Sequence, residues 1–430
     1  MPDIMPLAAP QMTTLPNGLR LLVTPMPYAR SVSVSVYVAA GSRYEATPAE
    51  GGLSHFLEHL LFKGTKRRPK AIDISMEIDR IGGNMNAATN REMTVYYAKV
   101  TPEYLGSTVD ILADMIRNST LPEHEIERER DVILEELAAV EDSPPEQVGV
   151  LLDETIWPGQ PHGRDIAGTN ESVKALTPQE IVTYYRRQYV PNATVVSIAG
   201  VVDPAEVREM VGRGFEDWRA GEPLLWVPNQ RPTGRPVLRV HEKDTEQVHL
   251  SFGLHGIASN DEDKYALDLL SVILGEGMSS RLFTRLREEL ALCYDIHSYI
   301  ATLRDCGMFG VYAGVDPKRT VEAAREITKE LARICMPVGV DALERAKAVS
   351  RSRTQLRLED TRSVSALYGS QAILDLPLRA PEETLARSAA VTIEEAERVA
   401  IHVMRGSALH IAAVGQVDAA ALEAAVVFEP

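Results

Sequence analysis

Three residues of one short segment could together bind a metal ion and use it for hydrolysis. His55, Glu58 and His59 form the pattern H-x-x-E-H. Because each residue of an α-helix advances by about 100°, the two imidazoles project from one helical face and the carboxylate lies beside them. Two imidazoles can bind one zinc ion, while the carboxylate acts on the water that the ion activates. Peptide hydrolysis requires this division of roles.

The residues around this pattern predict a buried helix. Thr47 and Glu50 form a capping box with Pro48 at the first helical position, so we expect the helix to start at Pro48. Gly64 offers a left-handed stop. Apolar residues surround the pattern: Leu53, Phe56, Leu57, Leu60, Leu61 and Phe62. Two histidines and a glutamate in such surroundings favour a metal site over histidines that only satisfy core hydrogen bonds, because unpaired buried polar groups are costly.

A catalytic zinc ion usually has three protein ligands, so a third must come from elsewhere in the chain. The segment Glu123 to Glu141 has the apolar stripe of an amphipathic helix, and Glu129 and Glu136 both lie along one border of it. Glu135 points nearly opposite. Any single glutamate here could also belong to an ordinary solvated helix face. Helical geometry therefore nominates Glu129 and Glu136 without choosing between them.

The combined motifs resemble the insulinase/pitrilysin zinc peptidases, specifically the short branch that includes the mitochondrial processing peptidases. The segments Leu15–Leu19 (LPNGL) and Phe62–Thr65 (FKGT) are similar to that family as well. In the family, the third ligand is a glutamate at a characteristic spacing after the second histidine, and this spacing falls on Glu136. A supporting glutamate two helical turns earlier matches Glu129. The resemblance thus implies one zinc ion per chain, held by His55, His59 and Glu136.

The resemblance also singles out Arg287 and Tyr294 in the second half of the chain. In active family members an arginine and a tyrosine at this spacing reach from the second domain into the zinc site. They would share a face if a helix that begins near Ser280 continued to Tyr294. Ala291 stands where the family often has glycine. Apart from the resemblance, a surface ion pair for Arg287 and core packing for Tyr294 are the ordinary interpretations.

These residues together predict a zinc-dependent metalloendopeptidase that hydrolyses unfolded or extended peptides. Glu58 would act as general base and then as general acid. Arg287 and Tyr294 would stabilise the charge that develops on the carbonyl oxygen. Glu129 would orient the metal ligands.

A glycine-rich segment offers a place for the substrate backbone. Gly82–Thr89 precedes the predicted strand Met93–Val100 and resembles the family segment that pairs with substrate. Addition of a peptide to a free sheet edge would hold the scissile bond over the zinc ion. Asn86, Ala87 and Ala88 are the candidate contacts. A glycine-rich turn that leads into an ordinary strand remains the alternative.

The chain reads as two related halves. The segment Met93–Pro102 has a counterpart half a chain length later, in Met308–Pro317. We predict an N-terminal zinc-binding domain at 1–220, a linker rich in proline and glycine at 221–235, and a homologous C-terminal domain at 236–430. The expected class is α+β, each domain being a largely antiparallel sheet with helices on one side, and the resemblance implies that the domains face each other as a clamshell. The glycines of Leu274–Leu282 indicate a turn rather than a phosphate-binding loop, since no Gly-Lys-Ser/Thr follows.

Composition excludes several classes of function. The 430 residues are 45% hydrophobic and 25% charged, as in ordinary globular proteins, and the three cysteines are too few for a disulfide framework. The net charge of −16 disfavours nucleic acids and anionic membranes as partners and would attract basic peptides. An acidic charge that only keeps the protein soluble is the alternative. No apolar run approaches the roughly 20 residues that span a bilayer. The segment Met1–Met5 resembles neither a secretory signal nor a transit peptide, so a cytoplasmic location is expected.

The assembly of the protein is inferred only from the resemblance. Some family members divide the zinc ligands and the arginine and tyrosine between two subunits, whereas this chain carries both sets. We therefore expect a self-sufficient enzyme that forms a homodimer. A heterodimer with a related subunit is the alternative. The family also includes non-catalytic partner subunits. The intact residues His55, Glu58, His59 and Glu136 favour the enzyme.

Overall fold

The computed structural model describes residues 7–230, 235–405 and 408–430. The chain forms two compact units: unit 1 contains Met1–Leu137, Asp165–Val227 and Gln355–Glu382, and unit 2 contains Ala138–Arg164, Pro228–Thr354 and Glu383–Pro430. The boundaries predicted at residues 220 and 236 stay a prediction. Residues 231–234 of the predicted linker and the N-terminal segment Met1–Met5 lie outside the described residues.

The described residues contain strands and helices throughout both units. The strands are β1 (Gln11–Thr14), β2 (Arg20–Pro25), β3 (Val32–Val38), β4 (Asn84–Thr89), β5 (Thr94–Val100), β6 (Thr194–Gly200), β7 (Leu238–His241), β8 (Val248–His255), β9 (Cys293–Thr302), β10 (Gly307–Val315) and β11 (His410–Val414). The α-helices are α1 (Leu53–Leu60), α2 (Ala71–Arg80), α3 (Leu105–Asn118), α4 (Glu123–Asp142), α5 (Pro144–Ile156), α6 (Asn170–Ala175), α7 (Pro178–Gln188), α8 (Pro204–Phe215), α9 (Lys264–Gly275), α10 (Thr320–Arg333), α11 (Val340–Arg357), α12 (Thr361–Ile373), α13 (Pro381–Ala390), α14 (Ile393–Arg405) and α15 (Ala419–Ala425). Within the described part of the chain, no helix is both long and apolar enough to cross a bilayer.

Each unit is built on one sheet, and the two sheets have the same plan. The strand order is β1-β2-β6-β3-β5-β4 in unit 1 and β7-β11-β8-β10-β9 in unit 2. The pairs β2/β6 and β7/β11 are parallel, and the other pairs are antiparallel. Without β1, the two orders and the position of the parallel pair coincide. The prediction of two largely antiparallel sheets that carry helices is confirmed, and the shared plan supports the proposed duplication.

Helices cover both faces of each sheet, so the expectation of helices on one side is wrong. In unit 1, all seven residues of β3 are buried, because alternate side chains meet cores on opposite faces. Helices α1 and α3 pack on one face, and α12 packs on the other. In unit 2, α5 occupies the face opposite the main core. The valines of β3 face the main core, whereas Ser33 and Ser35 face α12, where their hydroxyls hydrogen-bond to Thr361 and Ser365.

The helix with the metal-binding pattern begins later than predicted. The capping box is present, since the Glu50 carboxylate accepts a hydrogen bond of 2.8 Å from the Thr47 N–H, but Pro48–Glu50 forms only a 3₁₀ turn. Helix α1 starts at Leu53. Gly52 separates the two, with a φ of 91° and no room for a Cβ atom, which would lie 2.5 Å from the Ala167 carbonyl oxygen. A tertiary contact therefore interrupts the helix.

The helix predicted to run from Ser280 to Tyr294 is also shorter than expected. A π-helical segment occupies Phe283–Glu289 and includes Arg287, whereas Tyr294 lies on strand β9. Between them, Ala291 has a φ of 49°, a left-handed conformation that turns the chain from the helix into the strand. Glycine adopts this conformation without a steric penalty, whereas the Cβ atom of alanine makes it strained.

We predict that Ala291→Gly stabilises unit 2. Relief of the left-handed strain exceeds the added entropy of the unfolded chain, for a net gain of about 0.5–1 kcal/mol. The thermal unfolding midpoint should rise. The control is Ala139→Gly at an exposed position inside α4, which should lose about 1 kcal/mol because its backbone is helical. A lower midpoint for Ala291→Gly would contradict the assigned conformation.

Candidate metal centre

The structure brings His55, His59 and Glu136 together. Glu136 Oε2 lies 3.7 Å from His55 Nε2 and 3.5 Å from His59 Nε2. The ligand atoms of the three residues all lie within 4.8 Å of one another, and no other cluster of this kind occurs among the described residues. Of the two glutamates that helical geometry nominated, Glu136 is the one that approaches both imidazoles.

These separations fit a shared zinc ion. Nitrogen and oxygen ligands at about 2.0–2.1 Å from a tetrahedral ion are about 3.3–3.4 Å apart. The observed nitrogen–oxygen distances of 3.5 and 3.7 Å are close to that value but too long for good hydrogen bonds. The Glu136 side chain is 46% exposed, so solvent can reach the centre from its side. Two imidazoles, one carboxylate and an open position are the typical set of a catalytic zinc site.

Helix α1 is anchored at its N-terminus by a buried carboxylate. Glu45 accepts hydrogen bonds from the Gly52 N–H at 3.1 Å and from the Ser54 N–H at 2.8 Å. The Ser54 hydroxyl also bonds the Tyr184 hydroxyl at 2.8 Å. These contacts satisfy N–H groups that a helix start leaves unpaired, and they fix the helix that carries both histidines.

The loop after α1 is joined to the segment before α4. The Thr120 N–H donates to the Gly64 carbonyl oxygen at 3.1 Å, and Thr65 forms an antiparallel bridge with Ser119. Gly64 has a φ of 137°, and a Cβ atom there would lie 2.4 Å from the Pro69 carbonyl oxygen. This close pairing connects the two helices that supply the ligands.

Glu129 supports the histidines from behind. This residue is 5% exposed, and its carboxylate accepts a hydrogen bond of 3.1 Å from His59 Nδ1. Its second oxygen forms an ion pair with the Lys63 ammonium. Burial raises the pKa of Glu129, but the hydrogen bonds from His59 and Lys63 outweigh it, so the pKa is lowered and the carboxylate is ionised. Glu129 therefore lies where a supporting carboxylate is needed, rather than among the ligands.

The two histidines have different environments. Burial and the neighbouring His59 lower the pKa of His55 to about 4, so its imidazole is neutral and its Nε2 lone pair is available to a metal ion. Burial also lowers the pKa of His59, but the hydrogen bond with Glu129 and the charges of Glu136 and Glu58 raise it by more. The pKa of His59 is therefore raised overall. Among the described residues, the buried His55 Nδ1 has no hydrogen-bond partner.

Glu58 lies beside the ligands and next to Thr89, at the end of strand β4. Burial raises the pKa of the Glu58 carboxyl group by more than its interactions with Thr89 and the charge of His59 lower it, and the charge of Glu136 adds to the rise. A carboxylate with a raised pKa beside a metal site is suited to proton transfer.

The candidate substrate contacts lie on an edge strand. Asn86, Ala87 and Ala88 belong to β4, which pairs with β5 on one side and is the last strand of its sheet. Asn86 and Ala88 are exposed, whereas Ala87 is buried. The strand that leads to Thr89 and Glu58 thus has one edge that no described strand pairs.

Arg287 and Tyr294 are in contact within unit 2, although they do not share a helix. Arg287 Nη1 donates to the Tyr294 carbonyl oxygen at 2.8 Å. The guanidinium lies 4.7 Å from the Tyr294 ring centroid and 4.8 Å from that of Phe283. The Tyr294 side chain is 74% exposed. Their approach to the metal ligands stays a prediction.

Comparison with known proteins places the chain in a family. Residues 20–170 match the family described as Insulinase (Peptidase family M16), and residues 175–350 match the one described as Peptidase M16 inactive domain. An uncharacterized zinc protease of Streptomyces coelicolor is 38% identical over 399 residues, which cover 91% of this chain and 86% of that protein. The chain belongs to the M16 peptidase family. An uncharacterized zinc protease of Bacillus subtilis is similar to this M16 member too, at 33% identity over 90% of this chain and 94% of that protein.

Solved structures agree on the M16 fold. A protease from Helicobacter pylori superposes with a TM-score of 0.90 at 24% identity, covering 95% of this chain and 100% of that one. A putative M16-like peptidase from Alicyclobacillus acidocaldarius gives 0.84 at 22% identity, covering 97% and 100%. All three residues of the cluster lie within the region that matches the first of the two family descriptions.

Lys63 and Thr89 were not among the site residues predicted from the sequence. Each had a local signal: Lys63 follows His59 by one helical turn, and Thr89 ends the strand next to Glu58. Their partners, Glu129 and Glu58 respectively, lie in distant parts of the sequence, so only the folded chain identifies the contacts.

We predict that Glu136→Gln weakens zinc binding by at least about 10–100-fold, because a neutral amide oxygen replaces a charged ligand. Loss of a residue that only supports a ligand already has an effect of this size. Chelator competition on the purified protein measures the affinity. Glu135→Gln is the matched control, since Glu135 is exposed on the same helix and is not part of the cluster. Equal zinc affinity in both variants would exclude Glu136 as a ligand.

Proposed function

We propose that this M16 member is a zinc-dependent metalloendopeptidase that hydrolyses unfolded or extended peptides, with one zinc ion per chain. The observation that carries the proposal is the cluster of His55, His59 and Glu136 with Glu58 beside it. A zinc ion bound there supplies Lewis-acid chemistry, since it polarises a carbonyl and lowers the pKa of water. The remaining steps depend on side chains of this chain.

Glu58 is proposed as the residue that moves protons. It accepts a proton from water as the carbonyl is attacked and later delivers one to the departing amine. The raised pKa of its carboxyl group supports this role, because it increases the proton affinity of a carboxylate that lies beside the three clustered residues. Glu129 holds His59 by its Nδ1 atom and directs Nε2 toward Glu136.

The free edge of β4 is proposed to bind the substrate backbone. An extended peptide that pairs with the segment Asn86–Ala88 would use main-chain hydrogen bonds and read few side chains. Such binding requires an unfolded or extended chain, since a folded one has its backbone groups already paired. The net charge of −16 supports a preference for basic peptides over acidic ones.

Arg287 and Tyr294 are proposed to stabilise the negative charge on the carbonyl oxygen. The contacts of the guanidinium with the rings of Phe283 and Tyr294 restrain Arg287, and a restrained donor loses little freedom when charge develops. The chain carries this pair together with the metal ligands, which supports a homodimer of complete subunits over an assembly that divides the two sets. Sedimentation at working concentration tests this, because a monomeric mass would exclude the dimer.

We expect Glu58→Gln to retain one zinc ion per chain. Its cleavage rate should fall by about 10²–10⁴-fold, which is the usual contribution of general acid–base catalysis. Zinc content and cleavage of an unstructured peptide library are measured on the same preparations. Full activity in the variant would reject Glu58 as the base. A wild-type protein that binds zinc but cleaves nothing would support the non-catalytic alternative.

We expect Arg287→Ala and Tyr294→Phe to slow cleavage by about 10–10³-fold, in the range of a lost oxyanion donor, with zinc content unchanged. Arg285→Ala is the matched control, because Arg285 lies in the same π-helical segment but pairs with Glu289 and Glu326. Loss of zinc in the Arg287 or Tyr294 variant would show that its role is misassigned.

A further inference from the structure

We propose that Lys63 is a positioning residue for the metal centre and that it acts on His59 through Glu129. The inference rests on the proposed zinc site and adds a residue to it. Lys63 does not touch a ligand; its ammonium meets Glu129, which in turn meets His59. The three residues form a chain of contacts that ends at the imidazole.

The backbone after α1 directs Lys63 to this place. The Phe62 N–H donates to the His59 carbonyl oxygen at 3.2 Å, and the Lys63 N–H donates to the Leu60 carbonyl oxygen at 3.0 Å. Helical turns therefore continue beyond Leu60, and Lys63 lies one turn after His59 on the same side. The bond from Thr120 to Gly64 then fixes the residue that follows.

The burial of Glu129 explains why it needs two partners. At 5% exposure, a carboxylate with an unpaired oxygen would carry a large desolvation penalty. Each oxygen has a partner here: His59 Nδ1 on Oε2 and the Lys63 ammonium on Oε1. The Lys63 side chain is 24% exposed, so the pair is shielded enough for its geometry to matter.

Two partners on two oxygens also fix the rotation of the carboxylate. With Oε1 held by Lys63, Oε2 faces the Nδ1–H of His59, and the neutral ring keeps its lone pair on Nε2, which is 3.5 Å from Glu136. Without the ammonium, the carboxylate can turn and the hydrogen bond to His59 loses its fixed direction. Lys63 thus pre-orients a ligand that it does not contact.

The competing interpretation is an ion pair that only joins the turn after α1 to α4. The two interpretations predict different effects of losing Lys63. A purely structural pair would alter the stability of the fold and leave the His59 tautomer and zinc affinity of the folded protein unchanged. A positioning role changes both of these properties in protein that remains folded.

The experiment compares Lys63→Met with Lys63→Arg and with the control Lys66→Met, an exposed lysine in the following loop. Chelator competition should give a zinc affinity about 10–100-fold weaker for Lys63→Met, as for other supporting partners. Lys63→Arg should recover part of the loss, and Lys66→Met should match the wild type. The His59 tautomer is measured by nitrogen NMR of the zinc-free protein at a pH that keeps the ring neutral, and the His59 signals are assigned with a His59→Gln variant. The wild type should show the Nδ1–H tautomer, and Lys63→Met should show a mixture of tautomers.

A double-mutant cycle tests the route. In a Glu129→Gln background, Lys63→Met should weaken zinc binding no further, because the partner through which it acts is already altered. Additive losses would overturn the proposal, as would unchanged zinc affinity or an unchanged His59 tautomer in folded Lys63→Met. If Lys63→Met does not fold, the same comparisons are made with Lys63→Gln.

The readouts separate this inference from the proposed function. Zinc affinity and the His59 tautomer are measured without substrate, so a wild-type protein that binds zinc and cleaves nothing removes the peptidase proposal and leaves the test of Lys63 intact. A wild-type protein that does not bind zinc overturns both.

Discussion

The candidate site depends on one geometric constraint: three ligand atoms from two helices must stay within bonding reach of a single point. Helix α1 supplies His55 and His59, and α4 supplies Glu136. The loop after α1 pairs with the segment before α4 through Gly64 and Thr120, and a buried carboxylate anchors the start of α1. These supports hold the ligands in place without relying on the ion, which is the preorganisation that a metal site requires.

In the same region, a buried carboxylate is stabilised by paired groups rather than by exposure to solvent. Glu129 is nearly inaccessible, yet each of its oxygens meets a positive or proton-donating group. Glu58 is instead left with fewer compensating contacts, and burial raises its pKa. Two carboxylates near the same histidine thus have pKa values shifted in opposite directions, which separates a supporting role from a proton-transfer role.

The two units have the same strand order but differ in the residues that could take part in chemistry. Both sheets have the same strand order, and each has a helix on the face opposite its main core. In unit 1, α1 and α2 precede the edge strand β4, and α1 carries His55 and His59. In unit 2, α9 and the π-helical segment precede the edge strand β9, and that segment carries Arg287, which contacts two aromatic rings. The edge strands β4 and β9 occupy equivalent positions, but the residues before them supply different chemistry.

Local periodicity determined much of this protein from the sequence alone: the helical spacing of His55, Glu58 and His59, the amphipathic stripe of α4, the alternation of sheets and helices, and the repeat of one segment in each half of the chain. These features depend mostly on neighbours within one or two turns, which a sequence displays directly. Helical geometry left Glu129 and Glu136 equivalent, and the tertiary structure agrees with the family resemblance that Glu136 approaches the imidazoles. Only the tertiary structure decided that Lys63 pairs with Glu129, that contact with Ala167 delays the helix until Leu53, and that Tyr294 belongs to a strand. Each of these outcomes depends on packing between distant segments, where a helical face allows several equivalent partners and only the folded chain selects one.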